Sequence, residues 1–495
     1  MNEPPSNDLP EQLRVRREKR AELVARGMPP YALAFERTHT LAQVRADHEG
    51  LDAGTETGER VAIAGRVIFL RNTGKLCFAR LREGDGSELQ IMLSLDRVGE
   101  QSLAEWKHMI DIGDHVGVEG EVIASKRGEL SVMADSWAMV SKALRPLPVA
   151  HKDLNEETRV RQRYVDLIVN PEARSMVRTR AAITRSLRET LHRHGYLEVE
   201  TPVLQLVHGG AAARPFETQV NAFDISVTMR IALELFLKRA VVGGVDKVYE
   251  IGRIFRNEGI DSTHNAEFTM LEAYETYADY DTMAELMKSL VLDAARTVDR
   301  TVVPDGRGGE IDLEQPWEDV TVYGSVSAAV GEEVGVDTTV ERLRELSAKH
   351  EVALDPAWGN GEIVLELFEK LVEHTLVRPT FVRDYPASVR PLARPHRDEP
   401  RLVEAWDLVI AGVERGVAYS ELVDPVIQRE RLTEQSLLAA AGDPDAMQMD
   451  EDFLRALEYG APPMGGLGLG LDRLVMLLTG AGIRETILFP LVKPE

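Results

Sequence analysis

One cysteine in 495 residues, Cys77, excludes an intrachain disulfide and any zinc or iron–sulfur site built on several thiolates. No apolar run approaches the roughly 18–20 residues that span a bilayer, so no membrane partner is expected. The N-terminus has no apolar core of a secretory signal, since Pro4 and Pro5 lead into charged residues, and a cytoplasmic location is the expectation. Cations are in deficit: 58 Lys and Arg face 82 Asp and Glu, a formal net charge of −24. That total argues against a nucleic-acid partner, although a sum over the chain does not exclude a local basic face. What is present, 44% hydrophobic and 28% charged residues, is the composition of an ordinary globular protein. At roughly 150 residues per domain the length accommodates about three domains.

Residues 11–26 read as a charged helix in which Arg14, Arg16, Arg17, Lys19, Arg20 and Arg26 outnumber Glu11, Glu18 and Glu22. From Val61 to Val140 five short β-like runs follow: Val61–Leu70, Leu76–Leu81, Leu89–Leu93, Val116–Ile123 and Leu130–Val140. Turn residues such as Asn72-Thr73-Gly74 and Lys126-Arg127-Gly128 punctuate them, and a helix over 103–110 separates the third from the fourth. Five strands with a helix after the third is the pattern of an OB-type barrel, whose sheet face binds oligonucleotides. The Pro-rich stretch Leu144–Pro148 closes this part. Residues 1–60 are thus read as a tail and basic helix, 61–145 as the barrel, and 146–495 as a larger α+β domain. Within it a helix over 176–194 leads into a short strand stopped by Pro202, 301–315 reads as an insertion or hairpin, and 340–374 and 430–458 read as helical.

Three segments carry candidate chemistry. Gly465-Gly466-Leu467-Gly468-Leu469-Gly470 leads into a helix opening with Leu471-Asp472-Arg473, which puts Arg473 at a helix N-terminus suited to an anion. It is no dinucleotide fingerprint, because position 471 is leucine. In Gly252–Glu258, Arg256 and Glu258 are expected on one strand face; after a loop with His264 and Asn265, Phe268, Met270, Glu272 and Tyr274 share a face of a second strand. An arginine, carboxylates and aromatics gathered on one face suit a phosphate, a flat base and an ammonium group. In the third segment, Asp407–Glu414, an Ala411-Gly412 turn pairs Val409 with Glu414 and sets Asp407 diagonal to it, a pair of carboxylates suited to Mg²⁺. By the same alternation Glu421 falls on the opposite face unless a bulge intervenes.

Taken together, these residues resemble the class II lysyl-tRNA synthetases over nearly the whole chain. The helix and strand ending at Pro202 resemble motif 1, Phe255–Phe268 motif 2, and Gly466–Arg473 motif 3. The lysine subfamily is indicated by Gly209-Gly210-Ala211-Ala212-Ala213-Arg214-Pro215-Phe216, Arg145-Pro146-Leu147-Pro148 and Arg161-Gln162-Arg163-Tyr164. The resemblance implies an α+β protein with an N-terminal OB-type anticodon barrel and a class II antiparallel-sheet catalytic domain flanked by helices. It implies a homodimer joined through motif 1 that uses ATP, L-lysine and tRNA(Lys). Arg256 would hold the α-phosphate and Arg473 the other end of the triphosphate, with Phe268 on the adenine, Glu258 at its amino group, and His264 and Asn265 near the phosphates. Asp407 and Glu414 would bind Mg²⁺. Gly210 and Glu234 would meet the α-amino end of lysine, Glu272, Tyr274 and Glu421 its ε-ammonium, and Tyr419 lies in the same lysine-binding segment. In the barrel, Arg71, Phe78, Gln90 and Glu129 match anticodon-reading positions.

The chain departs from the family pattern at Val417, where an amide is usual, and at Leu233 and Ala266, where proline is usual. The Gly416–Glu421 segment resembles the synthetase half of bifunctional actinobacterial proteins that supply lysyl-tRNA for lipid lysylation. The expected activity is lysine–tRNA ligation; a paralogue with an altered substrate or acceptor, or a non-catalytic tRNA-binding paralogue, is the alternative.

Overall fold

The computed structural model describes residues 10–148, 154–440 and 447–494. The chain divides into two compact units, Met1–Arg174 and Ser175–Glu495. The division falls inside the helix Pro171–Arg193. Within the first unit Arg82 of the barrel reaches the Ile168 carbonyl at 3.5 Å, and Arg174 donates to the Leu167 and Ile168 carbonyls at 2.7 and 3.1 Å.

In the first unit a closed barrel is built from β1 (Glu56–Thr73), β2 (Leu76–Arg82), β3 (Glu88–Ser94), β4 (His115–Ala124) and β5 (Leu130–Ser141), in the order β1-β2-β3-β5-β4. Alternating residues such as Val61, Ile63, Cys77, Ala79, Leu81, Leu89, Ile91 and Leu93 fill the interior. The helix between β3 and β4, Glu100–Met109, buries Leu103, Trp106 and Met109, and Trp106 meets Trp137 edge-on at 5.3 Å. Among the described residues no helix is long and apolar enough to cross a membrane.

The basic helix, Glu11–Ala25, spends much of its charge on the barrel. Arg16 is buried and donates to the Ala143 and Ile112 carbonyls at 3.1 and 2.9 Å, and Lys19 pairs with Asp111 at 2.7 Å. Arg14 and Arg26 pair with Glu18 and Glu22 on the helix itself. Beneath it Lys142, fully buried, bonds Asp111 and Asp114 at 2.6 and 2.7 Å and the Met109 carbonyl at 3.0 Å. Two carboxylates around one ammonium are sustainable here because the remaining oxygens are also satisfied, that of Asp111 by Lys19 and that of Asp114 by Ala143 N at 2.7 Å.

The second unit centres on an eight-stranded sheet. Its members are β6 (Leu197–Glu198), β10 (Lys247–Phe255), β11 (Glu267–Thr276), β14 (Glu318–Thr321), β15 (Thr380–Pro386), β16 (Leu402–Ile410), β17 (Val413–Ser420) and β18 (Met464–Gly470). Their order is β14-β15-β16-β17-β18-β11-β10-β6, antiparallel except for the outermost pair at each edge. A separate three-stranded sheet joins β7 (Leu204–Gln205), β8 (Glu217–Val220) and β9 (Ile225–Met229), and β12 (Val302–Pro304) with β13 (Glu310–Asp312) forms the hairpin within 301–315. One face of the large sheet is apolar. Tyr249, Leu271, Ala273, Leu467, Leu469, Ala418, Trp406 and Leu408 meet the helices Pro171–Arg193, Tyr280–Thr297 and Leu471–Thr479 through Ile183, Leu187, Met283, Leu290 and Leu474. The stretch expected to be helical over 430–458 holds Pro425–Ala440 and Glu451–Glu458, with 441–446 outside the described residues.

Removing Lys142 leaves Asp114 as a buried charge without its counter-ion. Lys142→Met is expected to weaken the barrel unit by about 3–5 kcal/mol, measured by urea unfolding followed through intrinsic tryptophan fluorescence.

Candidate active site

Register decides which side chains meet on the other face. Across the sheet, Glu272 on β11 stands opposite Gly468, Gly468 opposite Val417, and Val417 opposite Asp407. The next row runs Tyr274, Gly466, Tyr419 and Ala405. Directly opposed residues share a face, so this face carries Met270, Glu272, Tyr274, Val417, Tyr419 and Asp407. The hairpin turn is as expected: Ala411 and Gly412 both have positive φ (56° and 70°), the two-residue turn whose twist matches the strands, and Val409 pairs with Glu414. A bulge then follows, because Leu408 pairs with Gly416 and Arg415 is left over. The extra residue shifts the alternation by one and brings Glu421 to the face of Glu414, Val417 and Tyr419. Of the two placements the sequence left open for Glu421, this is the one adopted.

The glycines make the floor. Gly466, Gly468 and Gly470 fall on the site face of β18, a central strand, and bare backbone there leaves room that side chains would take. A Cβ on Gly466 would collide with Glu421 Oε1 and the Tyr274 ring, whereas one on Gly468 would meet Met270, Val417 and Glu272 at ordinary contact distances of 3.4, 3.6 and 3.8 Å. The resulting cleft of about 420 Å³ is lined by Gly210, Glu234, Arg256, Glu258, His264, Asn265, Phe268, Glu272, Tyr274, Glu414, Tyr419, Glu421 and Arg473. Asp407 is not among its lining residues; it lies buried beyond Val417.

At one end sit the cationic and aromatic groups. β10 stops at Phe255, so Arg256 and Glu258 lie just past the strand rather than within it; Arg256 N still bonds the Ala266 carbonyl at 2.9 Å. The Arg256 guanidinium lies over the Phe268 ring at 5.3 Å, and burial lowers its pKa against the opposing pull of Glu258, Glu272 and Glu414. Arg473, the third residue of its helix, donates to the Glu414 carbonyl and carboxylate at 3.2 Å each and to His264 Nε2 at 3.3 Å. Asp472 ties that helix to β11: it accepts from Thr269 N at 2.7 Å and pairs with Arg180. Asn265 donates to the Glu267 carbonyl at 2.7 Å, and its buried Oδ1 has no donor among the described residues.

At the other end three carboxylates are buried. Glu272 accepts from Leu233 N at 2.9 Å and from Tyr274 OH at 3.1 Å, and burial beside Glu234 pushes it up to about 7. Glu234 and Glu421 flank Lys238 Nζ at 2.6 and 2.5 Å. Burial raises Glu421 as well, with Lys238 opposing and Glu234 adding to the rise. Tyr274 is raised well above its ordinary value by burial among these carboxylates.

Asp407 accepts from Tyr385 OH and from Arg390, both at 2.7 Å, while its Oδ1 is buried without a donor among the described residues. Burial and Glu414 push it up to about 6, and Glu373, in the turn Glu373–Thr375, is pushed up to about 7 by burial with Glu414 and Glu369 nearby. Crowded carboxyls and an unsatisfied oxygen fit the donor set of a hard divalent cation. Among the described residues no three or more His, Cys, Asp or Glu are grouped to hold a metal by themselves.

Sequence reasoning missed four residues. Lys238 carried a signal, four residues after Glu234 on one helix. Arg390 and Glu373 carried none, because only tertiary packing brings them to Asp407 and Glu414. Arg415, the bulge residue, is buried and donates to the Ile410 and Arg473 carbonyls, and burial lowers it to about 10. In the barrel, Arg71 pairs with Phe78, Phe78 with Met92, and Gln90 with Ser131. Arg71, Phe78 and Gln90 therefore share one outward face, with Glu129 exposed at the turn two residues before Ser131.

Residues 155–493 match the family model described as tRNA synthetases class II (D, K and N), and residues 61–140 match that of the OB-fold nucleic acid binding domain. The chain is a member of the class II aminoacyl-tRNA synthetases. It is 54% identical over 497 residues to a lysine–tRNA ligase of Mycobacterium bovis, covering 99% of this chain and 98% of that one. It is 55% identical over 490 residues to that of Kineococcus radiotolerans, covering 99% and 98%. A lysylphosphatidylglycerol biosynthesis bifunctional protein of Nocardia farcinica is 50% identical over 492 residues, which span 98% of this chain and 43% of that protein. Within its class the chain belongs to the lysine–tRNA ligase family.

The floor glycines should respond unequally. Gly466→Ala is expected to displace Glu421 and Tyr274 and to lower the thermal midpoint by several degrees. Gly468→Ala, with only ordinary contacts, is expected to stay near the parent value in the same thermal scan.

Proposed function

We propose that the cleft activates L-lysine with ATP to lysyl-adenylate and passes the lysyl group to the 3′ end of tRNA(Lys). The observation that carries this reading is one continuous cleft with a guanidinium and aromatic end and a buried tricarboxylate end. Lysine's carboxylate oxygen attacks the α-phosphorus, the bond to the bridging oxygen breaks, and pyrophosphate leaves; no protein nucleophile is required. A ribose hydroxyl of the tRNA 3′ end then attacks the acyl carbon, and AMP leaves. What the protein supplies is alignment and charge compensation. Arg256 serves the α-phosphate and Arg473 the far phosphates, assisted by His264 and Asn265. Phe268 offers the adenine a face and Glu258 a hydrogen-bond acceptor.

Asp407 and Glu414, with Glu373 beside them, are the groups that would hold Mg²⁺ together with phosphate oxygens. The ion's contribution when bound is charge neutralisation on the leaving pyrophosphate. At the lysine end, Glu234 turns Oε2 toward Gly210, whereas Glu272 accepts from the Tyr274 hydroxyl. We therefore assign Glu234, with Gly210 and Tyr419, to the α-ammonium, and Glu272, Tyr274 and Glu421 to the ε-ammonium, the ends that the resemblance implied. Two carboxylates at the side-chain end disfavour amino acids without a terminal cation, which would leave them unpaired.

The anticodon is assigned to the barrel face of Arg71, Phe78 and Gln90 with Glu129, and the reaction to the cytoplasm. A second copy is the proposed cover for the apolar surface of Leu197, Leu204, Leu206, Phe223 and Ile225, whose leucines are 50–74% exposed. Introducing Leu204→Glu with Leu206→Glu is expected to shift sedimentation from dimer to monomer.

Lysine-dependent ATP–pyrophosphate exchange tests the activity: exchange is expected with lysine and not with aspartate or asparagine, and its absence with lysine would refute the reading. Glu272 and Glu421 must be ionised to hold ammonium groups, and both are raised in the free protein. Lysine binding therefore releases protons. Its KM is expected to fall as pH rises from about 6 to about 8.5, while the KM for ATP changes little.

A further inference from the structure

Lys238 lies in the helix Glu234–Val242 with its side chain fully buried behind Glu234 and Glu421, which line the end of the cleft where the substrate's ammonium groups are assigned. A cation there would ordinarily compete with the substrate for the same carboxylates. The geometry avoids that conflict by dividing the oxygens. Glu234 gives Oε1 to Lys238, while its Oε2 turns toward Gly210, where an added Cβ would lie 3.8 Å away. Glu421 gives Oε2 to Lys238, while its Oε1 turns toward the bare backbone of Gly466 on the cleft floor. Each carboxylate thus shows one oxygen to the protein's own ammonium and one to the cleft.

Charge points the same way. Glu234, Glu272 and Glu421 bring three negative charges, and Lys238 cancels one. A lysyl-adenylate carries two ammonium groups at this end of the molecule, because its carboxylate has become an acyl phosphate. Without Lys238, two buried carboxylates would face each other across the space it fills, and one would take up a proton and cease to be an ionic ligand.

We propose that Lys238 is a positioning residue for substrate recognition: its ammonium aims Glu234 and Glu421 and favours their ionised forms as the substrate's cations arrive, so that two net negative charges meet the two cations of lysyl-adenylate. The inference rests on the lysine-activating reading above. It differs from a structural role in two respects: its effect falls on lysine rather than on ATP, and it passes through Glu421.

The experiment is a double-mutant cycle on the full chain, read by ATP–pyrophosphate exchange at pH 7.5 with separate KM values for lysine and ATP. The variants are Lys238→Gln, whose amide still donates to the carboxylates without charge, Lys238→Arg, Glu421→Gln, and Lys238→Gln with Glu421→Gln. Thermal midpoints are recorded for each. Lys238→Gln is expected to raise the KM for lysine by about 30-fold or more and the KM for ATP by less than about twofold. Lys238→Arg should recover a substantial part of the lysine KM. Glu421→Gln should cost far more in the parent than in the Lys238→Gln background, where one of the two carboxylates is already protonated.

Equal losses for lysine and ATP, additive effects in the cycle, or an unchanged lysine KM in Lys238→Gln would each overturn the role of Lys238. Should Lys238→Gln fail to fold, Lys238→Arg decides: a lysine KM within tenfold of the parent supports the charge-holding role, and loss of lysine use with ATP binding intact overturns it. Absence of lysine-dependent exchange in the parent would instead overturn the activity itself, so the two failures are distinguishable.

Discussion

Successive side chains of a strand point to opposite faces, and in the eight-stranded sheet this alternation separates an apolar layer from a charged one. Leu271, Ala273, Leu467, Leu469, Ala418, Trp406 and Leu408 look toward the helices, and Glu272, Tyr274, Val417, Tyr419 and Asp407 look the other way. The pattern would fail at the hairpin without the bulge at Arg415, which resets the phase of β17 and returns Glu421 to the charged side. Arg415 then bonds the carbonyls of Ile410 and Arg473, so the residue that corrects the phase also braces the start of the helix carrying Arg473. Placement of Arg473 and of the deep carboxylate Glu421 thus depends on one extra residue in one strand.

Burying carboxylates is costly, and the site meets the cost in two ways. Glu272 is held by a backbone amide and a tyrosine hydroxyl, and Glu234 and Glu421 by Lys238. What remains unsatisfied is functional in character: carboxyls pushed up toward neutrality at Glu272, Glu421, Asp407 and Glu373 by burial and mutual repulsion. Such groups gain most when a cation arrives.

The net charge of −24 argued against a nucleic-acid partner, and membership of a tRNA synthetase class with an OB-fold domain overturns that argument. The acid total includes the buried carboxylates of the lysine end and the many exposed ion pairs of the helices, so it does not describe any one surface. Arg16 and Lys19 are engaged by the barrel, and their charge serves the packing of the helix more than an open face.

Much was legible in the chain itself. Turn residues and two-residue periodicity located the five barrel strands, and the Ala411-Gly412 turn set the hairpin register, since both features depend on neighbours in sequence. The motifs located the arginines and the aromatic for the same reason. The Gly465–Gly470 run feeds the helix Leu471–Thr479 as read, and it is in addition a central strand whose missing side chains form a floor. Glycine sends no hydrophobic signal, so only the strands on either side identify it as a strand. The bulge at Arg415, the approach of Arg390 to Asp407 and of Glu373 to Glu414, and the division of two carboxylates around Lys238 were decided by tertiary structure. Each depends on atoms far apart in sequence competing for the same buried volume, and no local pattern of residues carries that information.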